Sequence, residues 1–72
     1  MRKINYETLS VDSTAIQSMR YFRKQRSLVV KFQNDDNYLY QNVPVGLFQK
    51  MRNSYSIGKF FNKHIKNNFQ LG

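Results

Sequence analysis

Three short runs rich in β-branched and aromatic residues follow one another closely: IQSMRYF at 16–22, SLVVKF at 27–32 and YLYQNV at 38–43. Side chains of this kind fit a pleated, half-buried surface, so each run predicts a strand. Only the polar connectors RKQR and QNDDN lie between them. Connectors that short close antiparallel hairpins, because a parallel crossover needs a dozen residues or more. The expectation is a three-stranded antiparallel meander. In its second strand Leu28, Val30 and Phe32 share one face and Val29 and Lys31 the other, so the first set is expected to meet the core. The third strand has Tyr38 and Tyr40 on one face and Leu39, Gln41 and Val43 on the other. An odd hairpin loop sets Phe32 opposite Tyr38 and turns both tyrosines inward, with their hydroxyls at the rim of the core. A four-residue loop slips the register and turns Leu39 inward instead. The odd loop is the preferred reading.

Pro44 ends the third strand and suits the first turn of a helix, so PVGLFQKMRN (44–53) predicts a short helix docking Val45, Phe48 and Met51 on the sheet. Ser54 or Ser56 then caps a second helix over Ile57–Asn67. At a rotation of about 100° per residue, Phe61, Ile65 and Phe69 form its apolar stripe, while Lys59, Lys63 and Lys66 cluster on a separate face. The expected architecture is α+β: a three-stranded antiparallel β-meander packed on one face by two short C-terminal helices. Residues 1–9 are expected as a polar N-terminal arm and residues 10–69 as one domain.

A chain of 72 residues buries only about 60% of its unfolded surface, which leaves little room for an elaborate active site. It has no cysteine and a single histidine, His64, so neither a disulfide framework nor a metal centre is expected, and no cofactor. The acids Glu7, Asp12, Asp35 and Asp36 fall in the arm or at turns, and His64 with Ser54 or Ser56 has no evident carboxylate to orient it. General acid–base chemistry needs a positioned pair of ionisable groups, so an enzyme is not expected. The N-terminal segment lacks the apolar run of a signal peptide or membrane span, which makes the cytoplasm the expected location. Membrane-surface binding is disfavoured, because the lysine-bearing helix spends its apolar face on the core.

Charge is the strongest pointer to function. Twelve Lys and Arg against four Asp and Glu give a net charge of +8. Such a surface attracts nucleic acid, nucleotides or an acidic protein. All four acids lie in the first half, whereas residues 37–72 carry Lys50, Arg52, Lys59, Lys63 and Lys66 with no acid among them. The second helix opens with Ser56-Ile57-Gly58-Lys59, which supplies a capping hydroxyl, a residue permitting close backbone approach and a cation beside unsatisfied N–H groups. This is a candidate phosphate or carboxylate site, although the same letters also describe a plain turn and cap. A lysine stripe is likewise what an ordinary solvated helix face looks like. RYFRKQR, at the first hairpin, interleaves Arg20, Arg23, Lys24 and Arg26 with Tyr21 and Phe22, a pattern suited to stacking and phosphate contact.

The central Tyr38-Leu39-Tyr40, the strand pattern Tyr21 then Leu28-Val30-Phe32, and the late set Ser56, Gly58, Phe60, Phe61, Asn62 and Ile65 together resemble the KTSC domain. That short module is named for its occurrence at the C-terminus of some lysine tRNA synthetases. The resemblance covers roughly residues 10–69 and implies a suggested RNA-binding role rather than a reaction. FRKQRS stands where relatives often carry an acidic turn, and QNDDN lacks a glycine.

The first expectation for function is therefore a small basic module that binds RNA or another phosphate-bearing ligand. Lys59, Lys63, Lys66, Arg20 and Arg23 would meet phosphates, Ser56 and Gly58 would present the helix start, and Tyr21, Tyr40, Phe60 or His64 would cover a base. The alternative is a stand-alone interaction or inhibitor protein of a mobile element that binds an acidic host protein or sequesters a nucleotide signal.

Overall fold

The computed structural model describes residues 6–11 and 13–67. Its strands are β1 (Tyr6–Ser10), β2 (Ile16–Phe22), β3 (Ser27–Phe32) and β4 (Asn37–Tyr40), followed by helices α1 (Val45–Arg52) and α2 (Ile57–His64). The strands form one antiparallel sheet in the order β1-β2-β3-β4. The α+β class and the helix pair agree with expectation, but the sheet has four strands rather than three. The fourth is β1, which pairs Leu9 with Met19 and Glu7 with Tyr21, so residues 6–9 of the expected arm belong to the sheet. Its composition hides it: YETLS offers a single aliphatic side chain, Leu9, to the core. At the edge of a sheet a strand needs to bury little, because pairing of its backbone along one side holds it in place.

Leu28 and Val30 are buried and Phe32 is packed against the same core, as alternation requires. Strand β2 breaks the alternation: Ile16, Met19 and Tyr21 all point inward because the register shifts between Ile16 and Ser18. One extra residue at this bulge, Gln17, restores Ile16 to the core side. The second hairpin closes through Phe32 N–H to the Asp36 carbonyl at 2.9 Å, which makes a three-residue loop with Asp35 at φ 70°. Aspartate tolerates this left-handed conformation better than most residues, so the turn forms without glycine. The loop is odd, as preferred. Its length shifts the pairing by two residues from expectation, so Tyr38 lies opposite Val30 rather than Phe32. Tyr38 and Tyr40 nevertheless keep the core-facing side.

Helix α1 starts after Pro44, buries Phe48 and Met51, and stacks Phe48 on Tyr21 with centroids 4.2 Å apart and planes 10° from parallel. Val45 packs at the margin of the same core. Ser54 donates to the Met51 carbonyl at 2.7 Å and so finishes α1. Helix α2 lays Phe61 edge-on against Tyr40 at 5.3 Å. Both helices thus cover the face formed by Met19, Tyr21, Leu28, Val30 and Tyr40. Arg52 of α1 reaches Glu7 of β1 at 2.6 Å, tying the helix layer to the edge strand.

Candidate functional site

Helix α2 is capped by Ser56, whose hydroxyl accepts from the Lys59 N–H at 3.3 Å; its carbonyl accepts from the Phe60 N–H at 3.0 Å. Ser56 rather than Ser54 is therefore the cap. Gly58 faces the protein: a β carbon there would lie 3.5 Å from both Cβ and Oγ of Ser13. Its close approach is used by the β1–β2 connection. Ser13 Oγ in turn accepts from the backbone N–H groups of Ala15 and Ile16 at 3.1 and 3.2 Å, which fixes the entry to β2. The helix ends earlier than expected, at His64, with residues 65–67 forming a turn in which the Ile65 and Lys66 N–H groups both donate to the Phe61 carbonyl. The expected stripe member Phe69 lies outside the described residues.

Rings and cations separate as the 3.6-residue period requires. Phe61 and Ile65 are buried, whereas Lys59, Lys63 and Lys66 are exposed. Phe60 is half-buried beside exposed His64, their rings 4.4 Å apart. Lys63 and His64 occupy the last turn, where a helix dipole favours positive charge, so part of the basic pattern supports the helix itself. None of the lysines Lys59, Lys63 and Lys66 has an ion-pair partner among the described residues.

The remaining expected residues lie elsewhere. Arg20 projects from β2 on the helix-free side, with its guanidinium carbon 6.0 Å from the Tyr6 ring centroid. Tyr6 and Phe22 pair on that side at 5.1 Å. Arg23, Lys24 and Arg26 sit in the exposed hairpin loop, where Arg26 adopts φ 53°. Tyr21 is fully buried, its hydroxyl donating to the Val43 carbonyl at 2.6 Å, so it cannot stack on a base. The Tyr40 ring is also in the core. The cations expected to act together are thus divided between the two sides of the sheet.

One concavity brings several polar groups together. A cavity of about 410 Å³ lies between the second hairpin and the end of α2, lined by Phe32, Tyr38, Tyr40 and Lys66, with Gln33 and Asp36 at its loop side. Of these, only Tyr40 and Lys66 were expected in a site; QNDDN reads in sequence as a connector. Several of its side chains are engaged: Gln33 Nε2 donates to the carbonyls of Ser13 and Ile16, Asn34 Nδ2 donates to Asp36 Oδ2 at 3.1 Å, and Asp35 lies 4.0 Å from the Lys31 ammonium. Phe32 and Tyr38 meet edge to face at 5.2 Å. Burial, with a smaller contribution from Tyr38, pushes the Tyr40 phenol above its usual pKa, so it is a neutral hydroxyl at physiological pH. Among the described residues no group of three His, Asp or Glu is placed to hold a metal, and no helix is long and apolar enough to cross a membrane.

A twisted four-stranded meander with two helices on one face, a Tyr-x-Tyr strand and a serine-capped second helix defines a small α+β module of one family. The KTSC domain pattern matches residues 12–69, and the chain belongs to that family. It is similar to the crystal structure of a KTSC domain protein from Yersinia pestis, with 30% identity and a TM-score of 0.82 over 93% of this chain and 94% of that one. No functionally curated protein sequence matches the chain.

Proposed function

We propose that this KTSC domain is a basic binding module for RNA or another phosphate-bearing ligand, and that α2 carries its main contact. The observation supporting this reading is the division of α2: Phe61 anchors it to the sheet, while Lys59 and Lys63 stand exposed with no acid on the helix and no ion pair among the described residues. A surface this one-sided in charge lowers the free energy of a polyanion by releasing its counterions. Ring pair Phe60–His64 lies one turn along the same helix, next to where phosphates would bind.

Filter binding of single-stranded RNA across a salt series tests the reading. Neutralisation of about three phosphates gives a log–log slope near −2 on single strands. Replacing Lys59→Glu and Lys63→Glu together should abolish retention while shifting the thermal midpoint little, since neither side chain is in the core and the loss from an acid in the last turn is offset by the gain from one in the first. Absence of retention by the unaltered protein at low salt would reject RNA binding, and undiminished retention by the double variant would remove α2 as its carrier.

A further inference from the structure

Tyr40 stands apart from the other core tyrosine. Tyr21 spends its hydroxyl on a backbone carbonyl, but no described residue hydrogen-bonds the hydroxyl of Tyr40, although the residue is only 2% exposed. No side-chain oxygen or nitrogen among the described residues is both sealed from solvent and unpaired, so this oxygen retains an opening. Tyr40 lines the cavity between the second hairpin and the end of α2. Water satisfies the hydroxyl through that opening in the free protein, and a ligand in the cavity can take the water's place as its partner.

The other lining groups say what that partner is. Tyr38 is 39% exposed and offers a ring on which a flat base can pack, with Phe32 set edge to face beside it. Lys66 contributes a cation with no carboxylate partner among the described residues. Asp36 keeps one carboxylate oxygen beyond the one that Asn34 occupies, and a carboxylate accepts only from N–H or O–H donors. Inorganic phosphate would leave the rings and Asp36 unused, and a hydrocarbon would leave Tyr40 and Lys66 unused. A volume of about 410 Å³ falls in the range of small-molecule sites.

We infer that this cavity binds a single nucleotide unit, with its base on the Tyr38 ring and its N–H edge toward Asp36, its phosphate at Lys66, and the Tyr40 hydroxyl donating to that phosphate. The inference deepens the phosphate-binding reading and rests on it, but places the recognition of the base away from the Lys59–Lys63 face. A free nucleoside monophosphate and the phosphorylated end of an RNA strand present the same chemistry.

Titration calorimetry and amide chemical-shift mapping with guanosine 5′-monophosphate test it. Saturable binding is expected, with shifts at Tyr38, Tyr40 and Lys66, and with ribose 5-phosphate and guanosine each weaker by about tenfold or more. Tyr40→Phe and Lys66→Gln should each weaken the nucleotide by about fivefold with unchanged thermal midpoints, because neither group holds the fold. A single-stranded oligoribonucleotide beginning with guanosine, with and without a 5′-phosphate, separates the sources. Tighter binding of the free nucleotide assigns the site to a metabolite, and tighter binding of the phosphorylated strand assigns it to an RNA end. No saturable binding at millimolar nucleotide, or shifts confined to Lys59 and Lys63, would overturn the cavity assignment. If the oligonucleotide still binds through Lys59 and Lys63, the module reading stands without it; if the unaltered chain retains neither probe, both fall.

Discussion

Tyr21 and Tyr40 both face the core, and their hydroxyls divide their roles. Val43 receives the Tyr21 hydroxyl at its carbonyl and gives its own N–H to the Arg26 carbonyl at 2.8 Å, so this one peptide pins the segment before α1 to the first hairpin. Tyr21→Phe leaves the Val43 carbonyl without its partner and should lower unfolding free energy by about 1–2 kcal/mol. Tyr40→Phe removes no bond seen in the protein and should change it by less than about 0.5 kcal/mol. Urea denaturation of the two variants distinguishes these outcomes. Burial pushes both phenols above their usual pKa, opposed at Tyr21 by the nearby Arg26 and Arg23 and reinforced at Tyr40 by Tyr38. The folded state therefore holds these protons more tightly than the unfolded chain. The corresponding stability is complete below the unfolded phenol value near 10 and is lost as pH rises through the raised folded values. Thermal midpoints should fall on that alkaline branch, and less steeply in Tyr21→Phe. The sequence left the facing of Tyr40 open between two hairpin-loop lengths, of which the preferred odd one is found, and it could not tell a satisfied hydroxyl from an open one. That depends on whether a carbonyl 22 residues away arrives beside it, as Val43 does for Tyr21.

Among elements, α2 and β1 mark the range of what periodicity can show. Helix α2 announces itself through a cap, an apolar stripe and a lysine face, and Ser56 does cap it. Ser56→Ala should cost about 1 kcal/mol, read from a shifted denaturation midpoint at unchanged slope. Strand β1 offers only Leu9 and the half-buried Glu7 to the helix side, and Glu7 finds its partner 45 residues later in Arg52. No local window contains that relation. Leu9→Ala should destabilise the protein by about 1–3 kcal/mol, at the low end of core truncations because Leu9 is half-buried. An N-terminal arm outside the sheet would show no such loss. The bulge at Gln17 is equally hidden, since the sequence presents Ile16 and Met19 three apart without saying which intervening residue leaves the ladder.

For the whole molecule, one core cluster draws on all four strands and both helices when its marginal members are included. No element has an apolar store of its own, so unfolding should be a single event, with far-ultraviolet and tyrosine near-ultraviolet signals melting together. Separate transitions would show that the helix pair and the sheet are independently stable. The sheet also acts as a partition. It leaves Arg20 with Tyr6 and Phe22 on one side and the α2 lysines on the other, which sets the basic segments RYFRKQR and SIGKFFNKH apart although sequence alone invites merging them.

The chain's own order of residues settled three strands, two helices, the inward sides of β3 and of both helices and the positive charge, because alternation, helical period, caps and ionisation are properties of near neighbours. Tertiary structure alone decided the added edge strand, the loop length that sets Tyr38 across from Val30, and the meeting of Tyr40, Asp36 and Lys66 around one cavity. Those outcomes depend on which distant backbone groups and side chains arrive together once the core closes, and no local pattern encodes an arrival.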